Sequence, residues 1–555
     1  MGQRRSTAAR LALLGLAACA PACSWIAPHR QAGERHDSVP LFDNLGSYSH
    51  PITTKSELAQ RYFDQGLRLV YGFNHEEARR AFEEAARLDP DAVMAYWGIA
   101  YTLGPNYNLP GDPDRDREAY QAVAKAQARA GNATEHERAY LSAIATRYAD
   151  PPPSDRRPLD EAYAQAMRGL SERFPDDLDG CTLYAESMMD LRPWDLWTHR
   201  GKPQPGTLEI VATLESVLRR NPEHPGANHY YIHAVEASSS PERGLASADR
   251  LADLVPGAGH LVHMPSHIYI RTGRYSDAVM ANQRAVAVDE AYIASENVHG
   301  VYSMMYYPHN LHFLSAAAAF DGRSVESAQA ADKLAEKVPL DMISSMPMLE
   351  SLLSVPLLAR VRFGKWDEIL ARPVPPEQLQ YASAVSHYAR GLAYLRTARP
   401  REAKAELAAL DQIAAGMPKD RVTTQVNKGS TLLGIASHSL AGEIAATQAH
   451  TTGEAVTQLE EAVKLQDSLV YMEPPDWFIP VREALGAVLL RAKRAAEAEA
   501  VYRSDLKFNP ENGWSLFGLA ASLRAQKKTK EAAQVQSRFE AAWKHADVSL
   551  PASRF

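Results

Sequence analysis

The chain has 555 residues, 45% hydrophobic and 23% charged, with 60 basic against 67 acidic side chains. That is enough material for a large core or a long repeat array, and a formal net charge of −7 excludes the basic face of a nucleic-acid binder. An ordinary apolar fraction without like-charge blocks excludes general disorder, and three cysteines (Cys19, Cys23, Cys181) cannot build a disulfide framework.

The first element is an export signal. Arg4, Arg5 and Arg10 precede the apolar run Leu11 to Ala18, which is too short for a bilayer span of roughly 20 residues and fits a signal h-region. It ends in Leu16-Ala17-Ala18-Cys19, which resembles the lipobox of bacterial lipoproteins. That resemblance implies a signal peptide over 1–18 and lipidation at Cys19. A cleaved signal with an incidental cysteine is the alternative, and the residues after Arg4-Arg5 do not match twin-arginine export. Residues 19–54, with prolines at 21, 28 and 40, read as a flexible tether. The expected location is the cell envelope, anchored to a lipid membrane. Ala20 lacks the aspartate associated with inner-membrane retention, so the outer membrane is favoured.

From about residue 55 the apolar spacing is helical and no strand alternation appears. Residues 59–92 carry Tyr62, Gly66, Leu69, Ala78, Phe82, Ala85 and Pro90, a spacing that resembles the tetratricopeptide repeat, a helix–turn–helix unit of about 34 residues. Small residues let the two helices approach, Phe82 and Ala85 face the next unit, and Pro90 stops the second helix. The register returns with Gly486, Ala498, Tyr502 and Pro510, then Ala520 and Ala532, with looser copies around Gly273, Gly364 and Gly391. The expected fold is all-α, a tetratricopeptide superhelix or α-solenoid. It comprises an N-terminal array over 55–320, a continuous C-terminal array over 321–547 and a tail over 548–555. Residues 102–130, 192–208, 291–306 and 468–480 break the period, as connectors or as insertions on the binding side.

Histidines carry the functional signal. Eight of the 19 fall within 229–312, where an even spread would place about three. His229 and His233 share a helical face, and His263 and His267 repeat that pair one 34-residue unit later. His260 lies a turn before His263, and His309 and His312 form a further pair after the 291–306 insertion. In tetratricopeptide domains the equivalent stripe resembles the one lining the concave groove. Imidazoles from helices about 8–10 Å apart then converge on one metal ion or two, with Zn, Cu or Fe as the candidates. Glu186 and Glu236 are the candidate carboxylates, as ligand, orienter or general base. Met188, Met189, Met264, Met304 and Met305 fit copper and equally fit core filling.

Several strings resemble a group of bacterial tetratricopeptide proteins, many of them expected lipoproteins, with no settled activity. They are Gly72-Phe73-Asn74-His75-Glu76-Glu77-Ala78, Ala95-Tyr96-Trp97-Gly98 with Gly104-Pro105-Asn106, Met264-Pro265-Ser266-His267-Ile268 and Glu473-Pro474-Pro475-Asp476-Trp477. Trp97, Tyr101, Glu473, Trp477 and Arg482 are candidate groove residues. Trp477 with Arg482 reads as an anion clamp or as packing, with packing favoured, and His75 reads as an exposed turn residue. No phosphate loop, GxSxG elbow, HExxH or CxxC pair occurs. Two functions stay open: a metal-binding protein, with metal-dependent activity as its stronger form, and a scaffold clamping a peptide or protein partner.

Overall fold

The structure is a computed structural model that describes residues 39–198 and 201–555. The signal segment, Cys19 and the first part of the expected tether lie outside the described residues. Every extended element among the described residues is helical, apart from three isolated β-bridges. No described helix is long and apolar enough to cross a membrane.

The helices come in antiparallel pairs. They begin α1 (Glu57–Tyr71) and α2 (His75–Leu88), α3 (Val93–Leu103) and α4 (Pro113–Gln127), α5 (Glu135–Ala145) and α6 (Arg157–Arg173), and α7 (Leu178–Met189) and α8 (Thr207–Arg220). Next come α9 (Pro225–Glu236) and α10 (Leu245–Leu254). Then α11 (Gly259–His263), joined at Met264 to α12 (Pro265–Arg271), pairs with α13 (Tyr275–Glu296), and α14 (Tyr307–Phe320) with α15 (Ser324–Glu336). The C-terminal array contains, among others, α16 (Gln380–Arg396), α17 (Gly429–Ala446), α18 (Thr452–Asp467), α19 (Val481–Arg491), α20 (Ala495–Phe508) and α21 (Gly513–Ala525). This is the tetratricopeptide-type arrangement the period predicts, and the described residues of both arrays belong to one unit.

The repeat register has a steric cause. Phe82 on α2 fits between Gly66 of α1 and Gly98 of α3, where an added Cβ would meet its ring at 2.6 and 2.5 Å. Tyr502 on α20 lies in the same way between Gly486 and Gly518, at 2.3 and 2.2 Å. One aromatic wedge between two glycines sets helix spacing at both ends of the chain. The 102–130 break is only the loop 104–112, since α4 restores the pair.

Two non-helical segments do more than connect. Residues 39–54, within the stretch expected to be loose, are bound along their length. Phe42 N–H donates to Gln65 (2.8 Å), Arg68 donates to the Tyr48 carbonyl (2.6 Å), and His50 meets Asp179 (2.7 Å). Gly257 N–H donates to the Asn44 carbonyl at 2.8 Å, so the same segment ties α1 to the α10–α11 turn. At the other end, the tail turns back into the C-terminal array. Ser553 bonds Tyr502 (2.7 Å) and the Glu483 carbonyl (2.8 Å), Arg554 pairs with Glu443 (2.8 Å), and the Phe555 ring lies 5.7 Å from Trp514.

Candidate metal centre

Three inner helices meet where the histidine register points. α9 carries His229 and His233, α11–α12 carries His260, His263 and His267, and α14 carries His309 and His312. Their side chains form two groups of three, in each of which one nitrogen per ring lies within 4.8 Å of the others: His229, His233 and His260, then His263, His267 and His309. A helix advances about 100° per residue, so residues four apart stay together and residues three apart diverge by roughly 60°. Thus His229 and His233 share one group and His263 and His267 the other. His260 and His263, three apart, point to different groups. His309 and His312 part in the same way, and His312 belongs to neither.

Hydrogen bonds fix which nitrogen four of the rings present. His229 Nδ1 lies 2.6 Å from the Tyr71 carbonyl, which accepts only, so Nδ1 carries the proton and Nε2 a lone pair. His233 Nδ1 and His267 Nδ1 meet the two oxygens of Glu236 at 2.9 and 2.5 Å. His263 Nδ1 meets Asn282 Oδ1 at 2.6 Å, and the Asn282 amide N–H donates to the Ala278 carbonyl (2.7 Å), which fixes the amide's orientation. With those protons assigned, His263 Nε2 lies 2.8 Å from His267 Nε2 and 3.1 Å from His309 Nε2. Lone pairs of His263 and His267 therefore face each other at contact distance. In a tetrahedral shell with bonds of about 2.0–2.1 Å, ligand nitrogens sit about 3.3 Å apart, close to this spacing.

The surroundings are aromatic. Phe73, at the α1–α2 turn, has φ +55°, a left-handed conformation that costs a bulky residue roughly 1–2 kcal/mol. It brings the ring within 4.7 Å of His229, 5.6 Å of His260 and 6.1 Å of His233. Trp194, also at positive φ (+59°), and Tyr107 stand 5.7 and 5.2 Å from His233. Burial, reinforced by the neighbouring imidazoles, pushes His229, His260, His263 and His309 well below the ordinary histidine range. Burial also lowers His267, opposed by Glu236. Burial alone would raise Glu236, but His267 and His233 bring it down to about 2. His229, His260, His263, His267 and His309 are thus held toward the neutral imidazole, which is the protonation state a transition metal requires.

Glu186 does not join this group. α9 turns Tyr230, not His229, toward α7, so Glu186 falls in a second buried cluster, where its charge acts on Tyr101, Tyr163, Tyr230 and Arg147. Trp97 and Tyr101 belong there too, their rings 5.3 Å apart, both about 1% exposed and so not on an open groove. His75, expected to be exposed, is 8% accessible, because the 104–112 loop covers it through Asn106 at 3.4 Å.

Two of the C-terminal candidates are occupied. Trp477 is 2% exposed against Tyr388 (5.2 Å), which is packing, and Arg482 makes a bidentate pair with Asp467 at 2.7 and 2.6 Å. Glu473 is buried, accepts from Tyr471, and is pushed by burial to about 8 against the pull of Arg271. A further group the sequence reading missed, His50 with Asp177 and Asp179, has the spacing of a metal site. Its carboxylates are already engaged: Asp179 accepts from Tyr48 and Tyr71 and meets His50, while Asp177 accepts from Tyr140. Only the closeness of the 39–54 segment to α7 reveals this group, and nothing in its spacing along the chain marks it.

No protein-family model matches the chain, and no curated protein matches it. Among solved structures, the human IFIT1 dimer with m7Gppp-AAAA is 13% identical, over 88% of this chain and 90% of that one, with a TM-score of 0.32. Yeast Tom70 is 11% identical over 88% and 91%, with a TM-score of 0.33. The APC/C hetero-tetramer Cut9–Hcn1 is 11% identical over 88% and 74%, with a TM-score of 0.29. Overlap this loose carries no argument about what the chain binds.

Proposed function

We propose that this protein is a lipid-anchored envelope protein whose helical-repeat body binds a transition-metal ion through histidine. One observation carries the metal reading. The Nε2 atoms of His263, His267 and His309 converge within 3.1 Å of His263, while the Nδ1 protons of His263 and His267 are committed to Asn282 and Glu236. Imidazoles that merely pack would turn a donor toward an acceptor. Here the lone pairs of His263 and His267 meet, and burial disfavours the proton that would otherwise sit between them. A shell of three neutral imidazoles with a position left open suits Zn or Cu and is the arrangement of catalytic metal sites, so metal-dependent activity is the stronger form of the reading.

Anchoring rests on Leu16-Ala17-Ala18-Cys19 alone, and a Cys19→Ala variant recovered in the soluble fraction supports it. The scaffold reading draws on the fold, which in other proteins presents a groove to a partner. The metal reading is tested by elemental analysis of purified full chain after reconstitution with zinc at neutral pH. Bound zinc that falls on His263→Ala/His309→Ala substitution supports it. Protein that stays metal-free under these conditions overturns it in favour of the scaffold.

A further inference from the structure

We propose that His229, His233 and His260 hold a second transition-metal ion, and that Glu236 couples it to the ion at His263, His267 and His309. This rests on the reading above and extends it to a two-ion centre.

The second group is built like the first. His229 Nδ1 is committed to the Tyr71 carbonyl and His233 Nδ1 to Glu236 Oε1, which leaves each ring an Nε2 lone pair. Both Nε2 atoms, together with both nitrogens of His260, are buried without a hydrogen-bond partner. A buried polar atom left unpaired destabilises the fold, and three imidazoles gathered in one place concentrate that cost. A single cation accepting one nitrogen from each ring satisfies three of these four atoms and leaves only the second His260 nitrogen unpaired. Phe73 and Tyr306 (4.9 Å from His260) wall the group with aromatic carbon. The first coordination shell is then nitrogen only, which suits Zn or Cu and does not suit Mg or Ca.

Glu236 is the link. Its two oxygens orient one ring of each group, His233 through Oε1 and His267 through Oε2. Carboxylates in this position set the tautomer and raise the basicity of a ligand histidine. One glutamate serving two ligands makes the geometry of each group depend on the other. A glutamine there keeps one acceptor and offers an N–H₂ to the other ring, which turns that ring's proton onto Nε2 and removes it as a ligand.

The test is metal stoichiometry of the full chain reconstituted first with zinc and then with cupric ion. The wild type is expected to bind two ions, His260→Ala and His309→Ala one each, and the double variant none. Glu236→Gln is expected to weaken at least one site by about 10–100-fold. Wild-type stoichiometry and the spin–spin broadening of paired cupric ions need no variant, so a misfolding substitution leaves the test intact. One ion in the wild type, retained by His260→Ala, overturns the second site while the first stands. No ion in the wild type overturns both.

Discussion

The two arrays share one repeat geometry but fill their interiors in opposite ways. Between α9 and α14 the inner face carries six imidazoles and a carboxylate, with aromatic rings packed around them. In the C-terminal array the chain fills the inner face with its own tail, Arg554 reaching Glu443 and Phe555 reaching Trp514. The first interior gathers imidazole nitrogens without partners, and the second already has its ion pairs. A repeat stack therefore leaves the use of its concave side to the side chains that happen to face it.

Acidification should separate the two regions most strongly. Buried His229, His260 and His263 and half-buried His309 are held well below 6.5, and His312 is pushed to about 4, so the unfolded chain binds more protons than the fold below pH 6.5. Stability then falls as pH drops, by about 1.4 kcal/mol per pH unit for each ring that stays neutral. Asp476 in the C-terminal array has the opposite sign. Burial raises it to about 6, so the fold holds its proton where the unfolded chain does not, and acid favours the fold there. Hydrogen exchange of metal-free protein at pH 7 and pH 5 should show α9 to α14 loosening before α16 to α21. Uniform loosening would erase the contrast.

The next largest effect belongs to the filled groove. Glu443→Ala leaves Arg396 and Arg554 facing each other, both 18% exposed, and should cost about 3 kcal/mol in denaturant unfolding without changing metal content. A smaller contrast lies within the N-terminal array. Tyr71 donates to Asp179, so Tyr71→Phe should cost about 1.5–3 kcal/mol. The Tyr163 hydroxyl is buried without a partner, so Tyr163→Phe should be neutral or slightly stabilising by thermal melt. Equal losses in both would mean that the Glu186 cluster is a bonded network like that of Asp179. The smallest effect is expected of His312→Ala, which should leave the bound ions unchanged by elemental analysis.

The sequence displays the parts of this account that depend on local period. Gly66, Phe82 and Gly98 announce the wedge, and the i, i+4 spacing of His229/His233 and His263/His267 announces shared faces. Glu236, three after His233, is legible for the same reason. What the sequence does not display depends on helix spin and on distant chain. Register alone treats His309 and His312 alike, because only packing decides which of two rings 60° apart faces inward. Glu186 holds a correct repeat position, yet Tyr230 rather than His229 turns toward it. The 39–54 segment and the tail carry prolines and polar residues that read as loose, and only their hydrogen bonds to Gln65, Asp179, Glu443 and Tyr502 fix them.

The central claim is that the six converging imidazoles are metal ligands, and X-ray absorption at the zinc edge of reconstituted full-length protein tests it most directly. The account predicts a first shell dominated by imidazole nitrogen at about 2.0–2.1 Å, three per ion, lost together when His263 and His229 are replaced by alanine. A shell of oxygen or sulfur, or an imidazole signal that survives those replacements, would contradict it.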